Sequence, residues 1–295
     1  MTSTPETDNS NQVETTELRT MTVSRDRGLV TITFNRPKRK NALNQQSWDE
    51  LGEVLEEVAA RASDRALLLT GSGGNFSSGA DLSGADASVA DRKGDRATGS
   101  DRDGSAPLTT PTPIISEMRH VGDIMLRLHR LPKPTIAKID GVAVGVGLGL
   151  ALGCDLVVAS DRARLIEIFP RRGLALDGGN SWLLPRLVGL HKAKELAFLG
   201  DEVSGTEAAA IGLVNRAVPA EELDELAGRW ARRLAEGPTI ALSLSKRMLD
   251  NSFEVSFDQA LEDEARAQHI CFTTSDMTEG MVAFIQRRDP DFRGC

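Results

Sequence analysis

Alternation of apolar and polar positions predicts the first elements of the chain. Leu29–Phe34 alternates with the period of a strand, and Asn35-Arg36-Pro37 ends it. A helical spacing of three and four then joins the apolar residues Trp48, Leu51, Val54, Leu55 and Val58. Ser47 is a candidate N-cap for this helix, with Glu50 completing a capping box. Ala66–Thr70 predicts a short buried strand, so the order of elements favours an α/β architecture.

The same alternation continues to Pro219 and then stops. Further strands are predicted at Thr135–Ile139, Asp155–Ser160, Arg164–Phe169 and Gly212–Val218. After Pro219 the apolar residues fall into helical stripes at Leu223–Leu234, Ile240–Met248 and Phe257–Ile270. We therefore expect residues 220–295 to form a helical region whose apolar faces need a partner surface.

Two polar segments lie outside this pattern. Residues 1–18 carry four acidic and no basic side chains, and we expect residues 1–20 to form a disordered acidic tail. Within the 31 residues of Ser83–Pro113 only Val89 and Leu108 are large and apolar. Such a segment cannot bury enough surface to order itself, which predicts a mobile lid or insertion. The predicted α/β core therefore spans residues 21–219, interrupted at 83–113.

Composition narrows the possible chemistry. The 295 residues include 35 Lys and Arg against 43 Asp and Glu, a net charge of −8 that disfavours a nucleic-acid surface. With four His and no Tyr, proton transfer would fall mainly to carboxylates. The His spacing predicts no metal site, and the three scattered Cys predict neither a disulfide framework nor a zinc ribbon.

Targeting and membrane signals are also missing. The N-terminal residues resemble neither a signal peptide nor a transit peptide. The longest apolar run, Gly141–Cys154, has 14 residues, whereas a membrane span needs roughly 20. We expect a cytoplasmic protein with no membrane partner.

Two glycine-rich turns are the strongest chemical signal. They are Phe76–Leu82 and Asp140–Gly147, each predicted to follow a strand and open a helix. The run at Gly145 fails the dinucleotide pattern, because Leu150 and Leu152 stand where its third glycine is required. Backbone N–H groups converging from two turns would form an oxyanion hole. Ordinary turn chemistry is an equally good interpretation of each turn alone.

An ordered set of short motifs resembles the enoyl-CoA hydratase/isomerase (crotonase) superfamily over about residues 23–294. The motifs are Asn35-Arg-Pro-Lys38, Asn41-Ala-Leu43, Ser78-Gly-Ala-Asp-Leu82, Leu131-Pro-Lys-Pro134, Asp140-Gly-Val-Ala-Val-Gly145, Cys154-Asp155 and Gly212-Leu-Val214. The resemblance implies a spiral of β-β-α repeats and a C-terminal helical region that trimerises, often into a dimer of trimers. It also implies an acyl-CoA thioester substrate, no separate cofactor, and a thioester oxygen held by the N–H groups of Ala80 and Val146.

The chain departs from that family at three positions. Val146 stands where glycine is common, which is compatible with an N–H donor if its φ is negative, but narrows the pocket. The two glutamates of hydratase-type members fall on Gly149 and Phe169. Glu167 could replace one of them after a shift of register, although an exposed carboxylate at a strand end is the favoured interpretation.

Asp177 is the carboxylate that remains. Its segment, Gly173–Gly189, is similar to the 1,2-epoxyphenylacetyl-CoA isomerase and 3-enoyl-CoA isomerase branch, which keeps Asp here and an apolar residue at the Phe169 position. The resemblance implies that Asp177 moves a proton between two carbons of an enolate. The alternative is that Asp177 is the N-cap of the following helix.

Contacts to the substrate also follow from the resemblance. They are assigned to Lys38, Arg39, Ala80, Asp81, Leu82, Phe169, Trp182, Phe284 and Arg287, although Lys38, Arg39 and Arg287 are equally well interpreted as solvated charges. An isomerase is thus the favoured function. The alternatives are a hydratase that uses Glu167, and a family member that binds acyl-CoA without turnover.

Overall fold

The computed structural model describes residues 13–84 and 112–295. Its strands are β1 (Glu14–Glu17), β2 (Met21–Asp26), β3 (Leu29–Phe34), β4 (Ala66–Gly71), β5 (Thr135–Ile139), β6 (Val142–Val144), β7 (Leu156–Ser160), β8 (Arg164–Ile166), β9 (Glu202–Ser204) and β10 (Arg216–Val218). Its α-helices are α1 (Gln45–Ala60), α2 (Thr112–His129), α3 (Val146–Leu152), α4 (Asn180–Leu199), α5 (Gly205–Ala210), α6 (Leu223–Ala235), α7 (Thr239–Asn251), α8 (Phe257–Cys271) and α9 (Ser275–Gln286).

The strands form two sheets linked by a repeated unit. The larger has the order β1-β2-β3-β4-β5-β7-β10 and is parallel from β3 onward, and the smaller has the order β6-β8-β9. The chain twice passes from the large sheet to the small sheet and on to a helix, as β5-β6-α3 and as β7-β8-α4. The expected α/β spiral of β-β-α repeats is therefore confirmed.

Both faces of the large sheet are covered, as a parallel sheet requires. One face packs with α1, α2 and α3 in the main core, which includes Phe34, Leu55, Leu69 and Leu128. The other face packs against α6 through a smaller cluster: Leu29, Ala66, Leu68, Ile136, Val158, Leu223, Leu226, Ala227, Ala231 and Ala235. The first stripe after Pro219 is thus part of the sheet packing.

The start of α1 differs from the sequence prediction. Asn44 is the N-cap, and its side chain accepts from the Ser47 N–H at 3.0 Å, which makes Ser47 the third residue of the helix. Glu50 instead turns toward the bend between β1 and β2, where it accepts from the Thr20 N–H at 3.0 Å and hydroxyl at 2.6 Å. The predicted cap at Ser47 was wrong because Asn44 supplies the same chemistry three residues earlier.

Residues 14–20 are not a disordered tail. Glu14–Glu17 pairs antiparallel with β2 although its four side chains are exposed, because backbone hydrogen bonds to an open sheet edge need no apolar burial. Residues 1–12 lie outside the described residues. So does nearly all of the predicted lid, of which Ser83 and Gly84 end a 3-10 turn.

Two predicted strands are several residues shorter than expected, and three helices, α2, α5 and α9, were not predicted. β8 ends at Ile166, and Phe169 opens a 3-10 turn with Pro170, which has no N–H to donate to a ladder. The last strand begins at Arg216, four residues after its predicted start at Gly212. Helix α9 follows the three predicted C-terminal helices.

The C-terminal region is fastened to the start of β4. The Arg65 guanidinium donates to the backbone oxygens of Phe292 at 2.9 Å and Gly237 at 2.6 Å. The Asp276 carboxylate accepts from the Arg293 and Gly294 N–H groups at 2.7 and 2.8 Å. Among the residues with described structure, no helix is both long and apolar enough to cross a bilayer.

Candidate active site

The first glycine-rich turn leaves one backbone N–H unused. Leu43 donates to the Gly79 oxygen at 2.8 Å, and Asp81 donates to the Leu43 oxygen at 2.8 Å. This bridge to Leu43 uses the Gly79 oxygen and the Asp81 N–H. The Ala80 N–H therefore points away from Leu43. Gly79 has a φ of +88°, a conformation that favours glycine.

The second turn leaves an N–H at the start of a helix. Gly145 adopts φ 54° and ψ −122°, donates to the Ile166 oxygen at 2.9 Å, and is followed by α3. Val146 is the first residue of α3, so its N–H has no acceptor within the helix. Val146 is not among the residues with positive φ, so its β-branched side chain is compatible with this position. The segment Asp140–Gly147 was predicted as a turn throughout, but its residues Val142–Val144 form strand β6.

Backbone pairing brings the two turns together. Ser77 forms a parallel bridge with Ala143, and Val144 donates to the Ser77 oxygen at 3.0 Å. The residues next to Ala80 and Val146 are also in close contact, because a Cβ on Gly79 would lie 2.7 Å from the Val144 oxygen and one on Gly147 would lie 2.7 Å from the Ser77 hydroxyl. Hydrogen bonds within the described part of the chain use neither of these two N–H groups. The geometry fits a two-donor oxyanion hole, while their role in catalysis stays a prediction.

Asp177 lies directly before the segment that touches Val146. A Cβ on Gly178 would come within 2.8 Å of Val146 Cγ2 and 3.2 Å of its Cα. The backbone of Gly178 therefore packs tightly against the turn at Gly145 and Val146, which is called the oxyanion turn below. The Asp177 carboxylate is half-buried and accepts from the Gly178 N–H at 2.7 Å. The alternative N-cap role is wrong, because α4 begins at Asn180 with Gly179 as N-cap and has no side-chain cap.

The two positions of the missing hydratase glutamates are closed. A Cβ on Gly149 would lie 2.4 Å from the Gly178 oxygen, so this position has no space for a side chain. Phe169 is buried, and its Cζ lies 3.5 Å from the Cβ position of Gly145. Phe169 therefore forms an apolar wall beside the oxyanion turn.

Glu167 is not the exposed carboxylate that the sequence favoured. Its side chain is 2% exposed, and neither carboxyl oxygen has a hydrogen-bond partner among the described residues. Burial raises the pKa of Glu167 to about 8, which keeps the carboxyl mostly protonated near neutral pH. Extending the β6-β8 register by one residue pairs Glu167 with Gly145, on the sheet face that carries Ala143 and Leu165. Glu167 is thus a second carboxyl close to the oxyanion turn.

The predicted CoA contacts near the first turn differ in their surroundings. Lys38 and Arg39 are exposed in a 3-10 turn. Ser78 links this turn to the Ala80 segment, because its N–H donates to the Lys40 oxygen at 2.9 Å and its hydroxyl donates to the Arg39 oxygen at 3.1 Å. Leu82 is 53% exposed beyond Ala80.

Asp81 is engaged by the protein itself. Its carboxylate accepts from the Ser83 hydroxyl and the Arg36 guanidinium, each at 2.7 Å. These hydrogen bonds lower the pKa of Asp81 to about 2. Asp81 therefore fixes the turn that carries Ala80.

The remaining predicted contacts lie apart. Trp182 is 37% exposed in the first turn of α4, with Arg186 stacked on its ring at 3.8 Å. Phe284, 81% exposed, and Arg287 belong to α9 and its C-cap. The start of α9 lies next to Arg65, which precedes β4. The Ala80 turn follows the other end of β4, and the six residues of this strand separate its two ends by about 20 Å.

Two asparagines to which the sequence analysis gave no role support the turns. Asn180 Nδ2 donates to the Gly145 oxygen at 3.2 Å, and Asn41 Nδ2 donates to the oxygens of Ser72 at 2.9 Å and Asn75 at 2.7 Å. Asn41 has a φ of +57°. The Gly178-Gly179-Asn180 run was a possible signal of a helix start, but the contact with Gly145 depends on the tertiary structure.

Comparisons with known proteins agree on one family. A family model described as enoyl-CoA hydratase/isomerase matches residues 24–122 and 118–295. The 1,2-epoxyphenylacetyl-CoA isomerase of Escherichia coli K12 is 36% identical over 271 residues, covering 91% of this chain and 96% of that protein. The short-chain-enoyl-CoA hydratase of Clostridium acetobutylicum is 32% identical over 285 residues, covering 92% and 97%. The crystal structure of enoyl-CoA hydratase from Bacillus anthracis has a TM-score of 0.79 at 29% identity, covering 96% and 99% of the two chains.

Proposed function

The chain belongs to the enoyl-CoA hydratase/isomerase family, and we propose that it shifts a double bond within an enoyl-CoA thioester. The observation that carries this proposal is the combination of an available Asp177 with a closed Gly149. One carboxylate adjoins the oxyanion turn, while a position that a hydratase would fill with glutamate has no space for a side chain. A double-bond shift needs one group that moves a proton, whereas water addition needs water to be positioned and activated.

The two free N–H groups would stabilise the charge that develops on the thioester oxygen. When a C–H bond next to the carbonyl is broken, its electron pair delocalises onto that oxygen as an enolate. A donor aimed at such an oxygen contributes about 3 kcal/mol. The N–H groups of Ala80 and Val146 are both main-chain donors, so this contribution requires no titratable side chain.

Asp177 would carry the proton. Its carboxylate takes the proton from the carbon between the carbonyl and the double bond, and the electrons enter the enolate. The protonated Asp177 then returns the proton to the far carbon of the former double bond, the electrons flow back, and the double bond comes into conjugation with the thioester. Phe169 would limit the access of water to the enolate.

The positions of Lys38 and Arg39 support binding of the CoA phosphates. Both side chains are exposed beside the turn that carries Ala80, and no carboxylate among the described residues forms a salt bridge with either. Two exposed cations beside the turn that carries Ala80 suit the phosphate groups of CoA.

Self-association would complete the site. The C-terminal region exposes six large apolar side chains by 68% or more: Leu249, Phe253, Phe257, Phe272, Phe284 and Ile285. Exposed apolar patches of this kind mark interfaces. In a trimer they would be covered, and Phe284 and Arg287 of one copy could reach the CoA of the next.

Glu167 favours a second candidate function. A buried carboxyl with a raised pKa and two unpaired oxygens is a common arrangement for a group that exchanges protons near neutral pH. If the substrate opens a path to it, Glu167 could deliver a proton during water addition. This would make the enzyme a hydratase with an altered arrangement of carboxylates.

Product analysis separates these functions. The full-length protein is incubated with trans-3-hexenoyl-CoA and, separately, with trans-2-hexenoyl-CoA, and the products are resolved by chromatography and mass spectrometry. We expect exchange between the two isomers to exceed formation of the product heavier by one water. Predominant hydration would favour the second candidate, and binding of both thioesters without any product would overturn both catalytic functions.

A further inference from the structure

A cavity of about 1040 Å³, open to solvent on one side, lies between α2, α4 and α7. At about 30 Å³ for each water-sized group, it has room for roughly 35 non-hydrogen atoms. The six carbons of a hexenoyl group would fill only a small part of this volume. The cavity is therefore far larger than a short straight acyl chain needs.

The cavity adjoins the proposed catalytic site through three consecutive residues. Asp177 is the proposed base, Gly178 packs against Val146, and Gly179 lines the cavity. Gly153, which follows α3, lines the cavity as well. Because α3 has seven residues, this wall lies about 10 Å from the oxyanion turn at the other end of the helix. An acyl group that starts at Val146 and passes Asp177 would enter the cavity.

Helices α2, α4 and α7 contribute apolar side chains to the cavity walls. Met125, Leu126, Trp182, Leu183 and Leu244 all contribute to them. Trp182, which carries Arg186 on its ring at 3.8 Å, meets the His129 ring edge-on with centroids 5.2 Å apart, so this wall is aromatic. This part of the cavity matches a bulky ring-containing group better than a polar one.

Two cations that line the cavity have no carboxylate partner among the described residues. The other charged lining groups are engaged: Lys246 forms a 3.0 Å salt bridge with Asp155, Glu254 a 2.7 Å salt bridge with Arg186, and Asp250 lies 3.9 Å from His129. Arg130 and Arg247 both line the cavity, and within the described ranges no carboxylate is at salt-bridge distance from either. An anionic group on the ligand would supply the missing partner.

We propose that this cavity receives the acyl group of the substrate, and that this group carries a ring and ends in a carboxylate bound by Arg130 and Arg247. The inference rests on the proposed function, because it takes the thioester to be held at Ala80 and Val146. It adds the substrate class: a CoA thioester of a ring-containing dicarboxylic acid.

Three unreactive thioesters test this class against the full-length protein by calorimetry: butanoyl-CoA, 4-phenylbutanoyl-CoA and 4-(4-carboxyphenyl)butanoyl-CoA. We expect the phenyl group to tighten binding by about tenfold or more through apolar burial, and the carboxylate to tighten it by about fivefold again. The second gain should shrink as salt is added.

Filling the cavity provides the matched variant. Gly122 lines the cavity, and a Cβ built there meets no atom within 4 Å, so Gly122→Leu inserts a side chain without a backbone clash. We expect the ratio of the 4-phenylbutanoyl-CoA affinity to the butanoyl-CoA affinity to fall by about tenfold. Gly228→Leu is the control, because Gly228 has equally open surroundings on α6 and does not line the cavity.

Removing one cation tests the anionic end. Arg247→Met should abolish the gain from the carboxylate and leave the gain from the phenyl group, whereas Arg229→Met on α6 should change neither. Equal affinity for the three thioesters, or equal effects of Gly122→Leu and Gly228→Leu, would overturn the cavity assignment and leave the proposed function intact. A carboxylate gain that survives Arg247→Met and the double variant Arg130→Met/Arg247→Met would overturn the charged end alone. Failure of all three thioesters to bind would overturn the proposed function as well.

Discussion

The carbonyl oxygen of Gly178 occupies the space that a side chain on Gly149 would need. A Cβ at Gly149 would lie 2.4 Å from that oxygen, well inside van der Waals contact. The same Gly178 packs against Val146, so the backbone of one residue both closes the hydratase position and supports the oxyanion turn. The absence of a glutamate at Gly149 is therefore built into the packing of α3 against the start of α4.

Restoring a glutamate at this position should damage the protein rather than create a hydratase. We expect Gly149→Glu to lower the melting temperature by about 5 °C or more, because the Gly178 backbone must move, and to produce no gain in hydration. Thermal unfolding and product analysis measure the two effects. Gly228→Glu on the open side of α6 is the control and should leave the melting temperature nearly unchanged. A stable Gly149→Glu variant with rapid hydration would contradict this account.

Asp177→Asn should abolish isomerisation without unfolding the protein. The amide oxygen can still accept the hydrogen bond from Gly178, but the side chain can no longer take a proton. We expect kcat to fall by about 10²–10⁴, the usual contribution of a general base, with little change in melting temperature. The rate of conversion of trans-3-hexenoyl-CoA is the measurement.

Asp201→Asn is the matched control, since this aspartate is exposed and forms a 3.3 Å salt bridge with Arg171. It should keep the wild-type rate. If the Asp177→Asn variant isomerised at the wild-type rate, Asp177 could not be the base, and Glu167 would become the remaining carboxyl near the turn.

Glu167→Gln should change how stability depends on pH. The pKa of Glu167 is about 8 in the folded protein and starts from an ordinary value of 4.5. The folded state therefore holds a proton that the unfolded chain loses above about pH 4.5. The stabilisation from this group is complete below that pH and is lost as the pH rises through 8.

Because glutamine does not titrate, the variant should gain stability relative to the wild type between pH 5 and pH 9. The free energy of unfolding, measured by urea at several pH values in this interval, gives the difference directly. We expect a change on the order of several kcal/mol. A difference that stays constant from pH 5 to pH 9 would show that the carboxyl is ionised in the folded protein.

Phe284→Asp should separate the subunits if the C-terminal helices form the interface. Phe284 is 81% exposed in one copy, so a charge there costs little within the chain but would be buried in an assembly. Light scattering coupled to gel filtration measures the molecular mass. Gln286→Asp adds the same charge at a neighbouring exposed position and is the control for a nonspecific effect. Two variants that both remain at the mass of the wild-type assembly would place the interface elsewhere.

The local pattern predicted much of the fold but not the environment of Glu167. The strand Leu29–Phe34 was correct at both ends, because alternation and the following Asn-Arg-Pro are local signals. The burial of Glu167 depends on the register between β6 and β8 and on what covers the face of the small sheet to which Glu167 belongs. Neither the register nor this packing can be predicted from the local sequence around Glu167. The carboxylate was therefore assigned to the surface.

The two glycine-rich turns show the same division. Their composition predicted tight turns with free amides, while their convergence follows from the bridge between Ser77 and Ala143, residues 66 positions apart. The closed space at Gly149 likewise depends on Gly178, which comes from another helix start. The sequence can therefore predict a turn with free backbone N–H groups. Whether two such turns meet at one site depends on pairing between distant segments of the chain.

The two proposed oxyanion donors belong to the main chain, which has a consequence for how this enzyme tolerates mutation. Most replacements of Ala80, whose side chain is exposed, keep the N–H in place, and only proline removes it. A survey of single substitutions would thus report Ala80 as permissive to nearly everything except proline. One of the two proposed oxyanion donors would appear dispensable, and natural variation at this position would carry little information about catalysis.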